Sequence, residues 1–136
     1  MIARTLRQLL ALLALALVPA IVSGALQLKR HQPDPVPEID AATVRSWGDR
    51  VLWVDARPRR EFERGHIEGA VLLNEDEWGA LVAAFLNEWD PDKPIVVYCD
   101  GGGCEASKAV ARRLLTELQL EHVHVLKGGR KTWPQP

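Results

Sequence analysis

The sequence predicts an α/β domain built on a mainly parallel sheet. Two runs, Val51-Leu52-Trp53-Val54 and Ile95-Val96-Val97-Tyr98, are apolar at every position. They are too short for helices and read as strands buried on both faces. Between and after them, apolar residues recur at helical spacing: Trp78, Leu81, Val82, Phe85 and Trp89, then Val110, Ala111, Leu114, Leu115 and Leu118. Strands alternating with helices require crossover connections, and these give a parallel sheet flanked by helices in three layers. The length of 136 residues allows one modest domain.

The elements follow in order. Asp40 is placed to cap a short helix running to about residue 47, ended by Gly48-Asp49. The strand at 51–54 leads to Asp55. Pro58 opens a short charged helix, RREFER, and Gly65 stops it. Residues 70–73 read as a second short strand. Asn74 is expected to cap a helix over 75–89, with Glu75, Asp76 and Glu77 in its first turn, where acids suit the helix dipole. Asp90-Pro91-Asp92 is a turn before the strand at 95–98. The loop DGGGCEA follows, then a helix from Ser107 to about 119, and a last strand at 123–126 closed by Gly128-Gly129.

The near-neutral net charge of -1 conceals two opposite segments. Arg4, Arg7, Lys29 and Arg30 stand in the first 30 residues without an acid, whereas residues 31–136 carry 13 Lys+Arg against 18 Asp+Glu. Residues 9–26, LLALLALALVPAIVSGAL, are uncharged behind Arg4 and Arg7, the pattern of an export signal. At 18 residues this stretch reaches the short end of spanning length. Residues 1–30 are therefore expected to form a hydrophobic helix retained as a signal anchor. The alternative is a signal peptide cleaved near Ala25. Either way the domain lies on the periplasmic or other extracytoplasmic side, tethered to the membrane in the first case. Residues 31–38, with prolines at 33, 35 and 37, read as a stiff linker, and the domain as 39–136. The charge balance and the lack of a basic patch point away from nucleic acid. Two cysteines exclude a disulfide-rich scaffold or a four-cysteine zinc site.

Cys99 stands at the carboxyl end of a predicted strand, where open α/β sheets bind ligands. Gly101, Gly102 and Gly103 let the backbone curl toward a helix N-terminus, a setting that stabilises an anion. The expectation is a nucleophilic thiol of lowered pKa, cradled by residues 100–107: Asp100, the three glycines, Cys104, Glu105, Ala106 and Ser107. On local sequence alone, a buried structural cysteine is an equal alternative. Asp55 and Arg57 are expected to pair and brace the loops, and His66 to act as a hydrogen-bonding brace. His122 and His124, alternating on a strand, are expected to share one face without a third ligand that would make a metal site.

Four motifs then resemble the rhodanese family over residues 39–133. They are the strand ending in Asp55-Ala56-Arg57; Glu61-Phe62 with Gly65-His66-Ile67-Glu68-Gly69-Ala70; Val96-Val97-Tyr98-Cys99; and Leu126-Lys127-Gly128-Gly129 with Trp133. The resemblance implies a rhodanese-like fold and sulfurtransferase activity. Cys99 would take the outer sulfur of a donor such as thiosulfate as a persulfide and pass it to cyanide or a thiol, with no metal or organic cofactor. The loop departs from the family pattern by about two extra residues. The usual cationic position is replaced, and Asp100 and Glu105 oppose a dianionic donor and raise the thiol pKa, with Lys108 as the compensating charge. Phosphatases of the same fold need an arginine where Glu105 stands, and a carboxylate does not clamp phosphate. Cys104 in the same loop adds a second reading, a thiol–disulfide redox protein in which it resolves Cys99. A non-catalytic binding module is the third.

Overall fold

The computed structural model describes residues 36–101 and 104–134. The order is β1 (Glu38–Ile39), α1 (Ala41–Ser46), β2 (Leu52–Asp55), α2 (Arg59–Arg64), β3 (Val71–Leu72), α3 (Trp78–Glu88), β4 (Ile95–Tyr98), α4 (Glu105–Thr116), β5 (Val123–Leu126) and a 3-10 turn (Gly129–Thr132). The five strands form one sheet in the order β1-β5-β4-β2-β3. Every pairing is parallel, as the alternation predicts.

Side chains of successive strand residues point to opposite faces, which explains the all-apolar runs. On one face Leu52, Val54, Ile95, Val97, Val123 and Val125 pack under Trp78, Leu81 and Phe85 of α3 and Val110, Ala111 and Leu114 of α4. On the other, Trp53, Val96, Tyr98 and Leu126 meet Val44 of α1, Ile67 and Trp133. Each fully buried aliphatic or aromatic side chain contributes about 1.5–3 kcal/mol, and Phe85, Leu114, Val97 and Ile95 are fully buried.

Local chemistry sets the ends. Asp40 caps α1, its carboxylate accepting from the Thr43 backbone N–H at 2.8 Å; that bond, with one from the Thr43 hydroxyl, lowers its pKa. Pro58 precedes α2, and Gly65 ends it at a φ of 151°.

Several boundaries differ from the sequence expectation. The proline-rich linker gives way earlier than residue 39, because Glu38 and Ile39 form the edge strand β1 against Val125 and Leu126. Pro37 supplies a carbonyl to Val125 N at 2.8 Å. An edge position tolerates proline, which has no N–H to lose there. Helix α3 starts at Trp78, three residues late. The Asn74 side chain accepts from Glu77 N at 2.8 Å and so caps a turn ahead of the helix. Glu75, Asp76 and Glu77 therefore precede the first turn, and Glu77 pairs with Arg59 at 2.7 Å. Helix α4 starts two residues early, at Glu105, and ends at Thr116. His122 adopts φ 56° before β5 begins, so it does not share a strand face with His124. His124 is half-buried beside Trp47, ring centroids 5.6 Å apart, and burial lowers its pKa. Among the described residues no helix is long and apolar enough to cross a membrane, and no cluster suited to a metal ion occurs. The expected hydrophobic helix at 1–30, and most of the linker, lie outside the described residues.

Candidate active site

Strand β2 connects outward to β3 and β4 connects outward the other way to β5. The carboxyl ends of the adjacent strands β2 and β4 thus flank the point where the winding reverses, the usual place for a ligand crevice in such sheets. Register pairs Asp55 with Tyr98 across that point, and Arg57 and Cys99 follow on the two strands.

The residues beside the cysteine form a buried ionic clamp. Arg57 donates to Asp55 through Nε at 2.9 Å and a second nitrogen at 2.7 Å. It also donates to the Gly65 carbonyl at 2.8 Å and to Asp100 at 3.0 Å. Tyr98 donates its hydroxyl proton to Asp55 at 2.8 Å and accepts from Ile67 N at 3.0 Å. Asp55 is 0% exposed and Arg57 4%. A carboxylate so buried is tolerable because every strong acceptor site has a donor. Hydrogen bonds donated to Asp55 hold the Arg57 pKa above its already high value, and burial followed by the Asp55 charge raises that of Tyr98. The expected Asp55–Arg57 brace is therefore present, and it reaches further than expected. Asp100, exposed over 61% of its side chain, is tied by Arg57 to the start of the loop. Its charge is partly neutralised and does not simply face an incoming anion.

The cysteine is backed by the last turn of the domain. Arg130 N donates to the Cys99 carbonyl at 2.7 Å. Gly129 sits at φ 65°, and a Cβ there would lie 2.6 Å from Cys99 O and 2.7 Å from Gly101 N. Only glycine permits this approach, which gives the Gly128-Gly129 pair a physical reason.

Cys99 Sγ is itself nearly buried, the residue being 2% exposed. It donates to the Gly101 carbonyl at 3.3 Å and accepts from Ser107 Oγ at 3.6 Å. Ser107 also donates to the Cys104 carbonyl at 3.1 Å. The expectation of a lowered thiol pKa is corrected. Burial raises the Cys99 pKa, as does the neighbouring Cys104 side chain, while the Ser107 hydroxyl and hydrogen bonding at Gly101 pull the other way. Desolvation of a small sulfur anion outweighs two partners.

The remaining predicted residues fall around this centre. Cys104 is the N-cap of α4, half-buried, with no capping bond from its side chain. Glu105 is exposed, Ala106 half-buried and Ser107 buried; Gly102 and Gly103 lie outside the described residues. His66 is an exposed brace, Nδ1 donating to the Phe62 carbonyl at 2.9 Å with its ring stacked on Phe62 at 3.8 Å. Lys108 reaches Glu38 at 3.5 Å, so its charge is shared with that carboxylate. A pocket of about 340 Å³ adjoins the loop, with Cys104, Ser107, Lys108 and Lys127 in its wall. The sequence motifs contain Tyr98, Lys127 and Gly129 but assign them no place at the site. A hydroxyl-bearing residue ending an otherwise apolar strand was the available signal for Tyr98.

The sequence model of the rhodanese-like domain matches residues 22–135. The chain belongs to the rhodanese-like domain family. It is 36% identical over 80 residues to thiosulfate sulfurtransferase GlpE of Shewanella oneidensis, covering 59% of this chain and 72% of that one. Over 113 residues it is 29% identical to a tRNA uridine(34) hydroxylase of Corynebacterium urealyticum, covering 80% of this chain but only 34% of that protein. Among solved structures, the rhodanese-like domain of Anabaena Alr3790 superposes with a TM-score of 0.55 at 30% identity, covering 71% of this chain and 72% of that chain. The rhodanese-like α/β fold and the kinship with sulfurtransferases are thereby shown, and the differing names of the relatives show that members vary in what they do.

Proposed function

We propose that this chain is a sulfurtransferase carrying sulfane sulfur as a persulfide on Cys99. The carrying observation is the Cys99 sulfur at the end of the central strand β4, with the Ser107 hydroxyl donating to it at 3.6 Å beside a loop held at both ends. In the first half-reaction the Cys99 thiolate attacks the outer sulfur of a donor such as thiosulfate. A new S–S bond forms, the donor's S–S bond breaks, and sulfite leaves with the electron pair. In the second, cyanide or a thiol takes the outer sulfur, and Cys99 leaves as thiolate and recovers a proton. Ser107 stabilises the sulfur anion in both. Burial pushes the Cys99 thiol up, and the donor reacts with its thiolate form.

The test is mass spectrometry of the intact protein after incubation with thiosulfate or polysulfide. Added sulfur on the wild type and none on Cys99→Ser is expected; no added sulfur from any sulfane donor refutes the reading. The link of Cys104 to Cys99 through Ser107 supports a second reading, a reversible dithiol–disulfide pair. Free-thiol counting after mild oxidation separates the two. The basic, apolar leader supports placement of the domain outside the cytoplasm, tested by protease accessibility in spheroplasts.

A further inference from the structure

We propose that Cys104 is a relay thiol, taking the outer sulfur from a Cys99 persulfide and presenting it to a small thiol acceptor in the pocket beside α4. This rests on the sulfurtransferase reading. Three observations carry it. The first is a gradient of access: Cys99 is 2% exposed, whereas Cys104 is half-buried and forms part of the wall of the 340 Å³ pocket. An acceptor much larger than cyanide reaches the second sulfur more readily than the first. The second is the link between the thiols. The Cys104 side chain lies near enough to Cys99 to push its thiol pKa up. Ser107 ties the two residues together, its hydroxyl 3.6 Å from Cys99 Sγ and 3.1 Å from the Cys104 carbonyl. The third is that the Cys104 sulfur is not used to cap the helix it precedes. It stands at the N-cap of a twelve-residue helix yet makes no capping bond, and both cysteines are free thiols. The N-terminal end of a helix favours negative charge on a group placed there.

The step balances without an oxidant. Cys104 gives its proton to pocket water and attacks the outer sulfur of the Cys99 persulfide. One S–S bond forms at Cys104 and one breaks at Cys99, which leaves with the electron pair and is reprotonated. The products are a Cys104 persulfide and a Cys99 thiol. An acceptor thiol then takes the same sulfur from Cys104.

The experiment is single-turnover discharge. The full chain is loaded with thiosulfate, desalted and mixed with 2-mercaptoethanol, and the loss of one sulfur mass is timed. Fragment ions locate the sulfur. In the wild type, part of it is expected on Cys104. In Cys104→Ser and Cys104→Ala, Cys99 should load but discharge about tenfold more slowly, equivalent to about 1.4 kcal/mol of barrier. Circular dichroism of both variants checks that α4 is intact. Discharge of both variants at the wild-type rate overturns the relay while leaving the Cys99 persulfide standing. Release of hydrosulfide with build-up of a Cys99–Cys104 disulfide also overturns it, because Cys104 would then have attacked the inner sulfur. If Cys99 takes no sulfur in any variant, the relay falls together with the reading beneath it.

Discussion

Replacing Gly129 by alanine tests whether the last turn shapes the Cys99 loop. The new Cβ would lie 2.6 Å from the Cys99 carbonyl oxygen, 2.7 Å from Gly101 N and 3.0 Å from the Asp100 carbonyl carbon. All three are backbone atoms, so no side-chain rotation relieves the overlap. A carbon–oxygen contact normally begins at about 3.3 Å, so the Cys99 carbonyl must retreat by roughly 0.7 Å. That movement weakens the 2.7 Å hydrogen bond from Arg130 N, worth about 1 kcal/mol. An alanine held at φ 65° adds about 1–2 kcal/mol of backbone strain. The expected total is a loss of about 2–3 kcal/mol in urea unfolding. The expected loss in the rate of Cys99 sulfur loading is about a hundredfold, the effect of a displacement near 1 Å at a reacting centre. Stability within about 0.5 kcal/mol of wild type and an unchanged loading rate would show that the turn only neighbours the loop, and the argument for its role would fail.

Two further outcomes are expected. Asp55→Ala strands the buried Arg57 guanidinium and removes the acceptor of the Tyr98 hydroxyl; guanidinium denaturation should show a loss of about 3–5 kcal/mol, and a loss below about 1 kcal/mol would mean the clamp is incidental. In Cys104→Ser, the iodoacetamide alkylation rate of Cys99 should rise with pH to a midpoint above about 8.5, the free-cysteine value, because burial favours the neutral thiol. The linked stability runs in the same sense. The unfolded thiol ionises first, so stability is full below the unfolded pKa and falls as pH rises through the interval up to the folded one. A midpoint at or below the free-cysteine value contradicts the burial argument.

Strands β2 and β4 were legible to within a residue because burial on both faces requires uninterrupted apolar runs, and β5 was legible from Val123, Val125 and Leu126 around the half-buried His124. Strand β1 was not: its pairing needs only two residues and a proline carbonyl, and carries no apolar signature. The start of α3 was misplaced because Asn74 accepts the same bond from Glu77 N whether it caps a helix or the turn ahead of one. At the site, Cys99, Ser107 and the Asp55–Arg57 pair were readable from motif and position. The extension of that pair to Tyr98 and Asp100 was not, since it joins residues 43 apart in sequence through the β2–β4 register. The thiol pKa was misjudged for a related reason. The glycine loop suggested stabilisation of an anion, but the depth of Cys99 is a property of the packed sheet.

The backing of Cys99 by Gly129 and Arg130 has a consequence for biogenesis. Cys99 leaves the ribosome some thirty residues before the turn that holds its carbonyl. Its strand, β4, must also recruit β5, made later, and β2, made earlier. Non-local pairings of this kind form slowly. Throughout that interval both sulfurs are open to oxidants and to each other. A cell that makes this domain in an oxidising compartment must keep the unfinished chain reduced, or shorten the wait, for the thiols to reach the folded state intact.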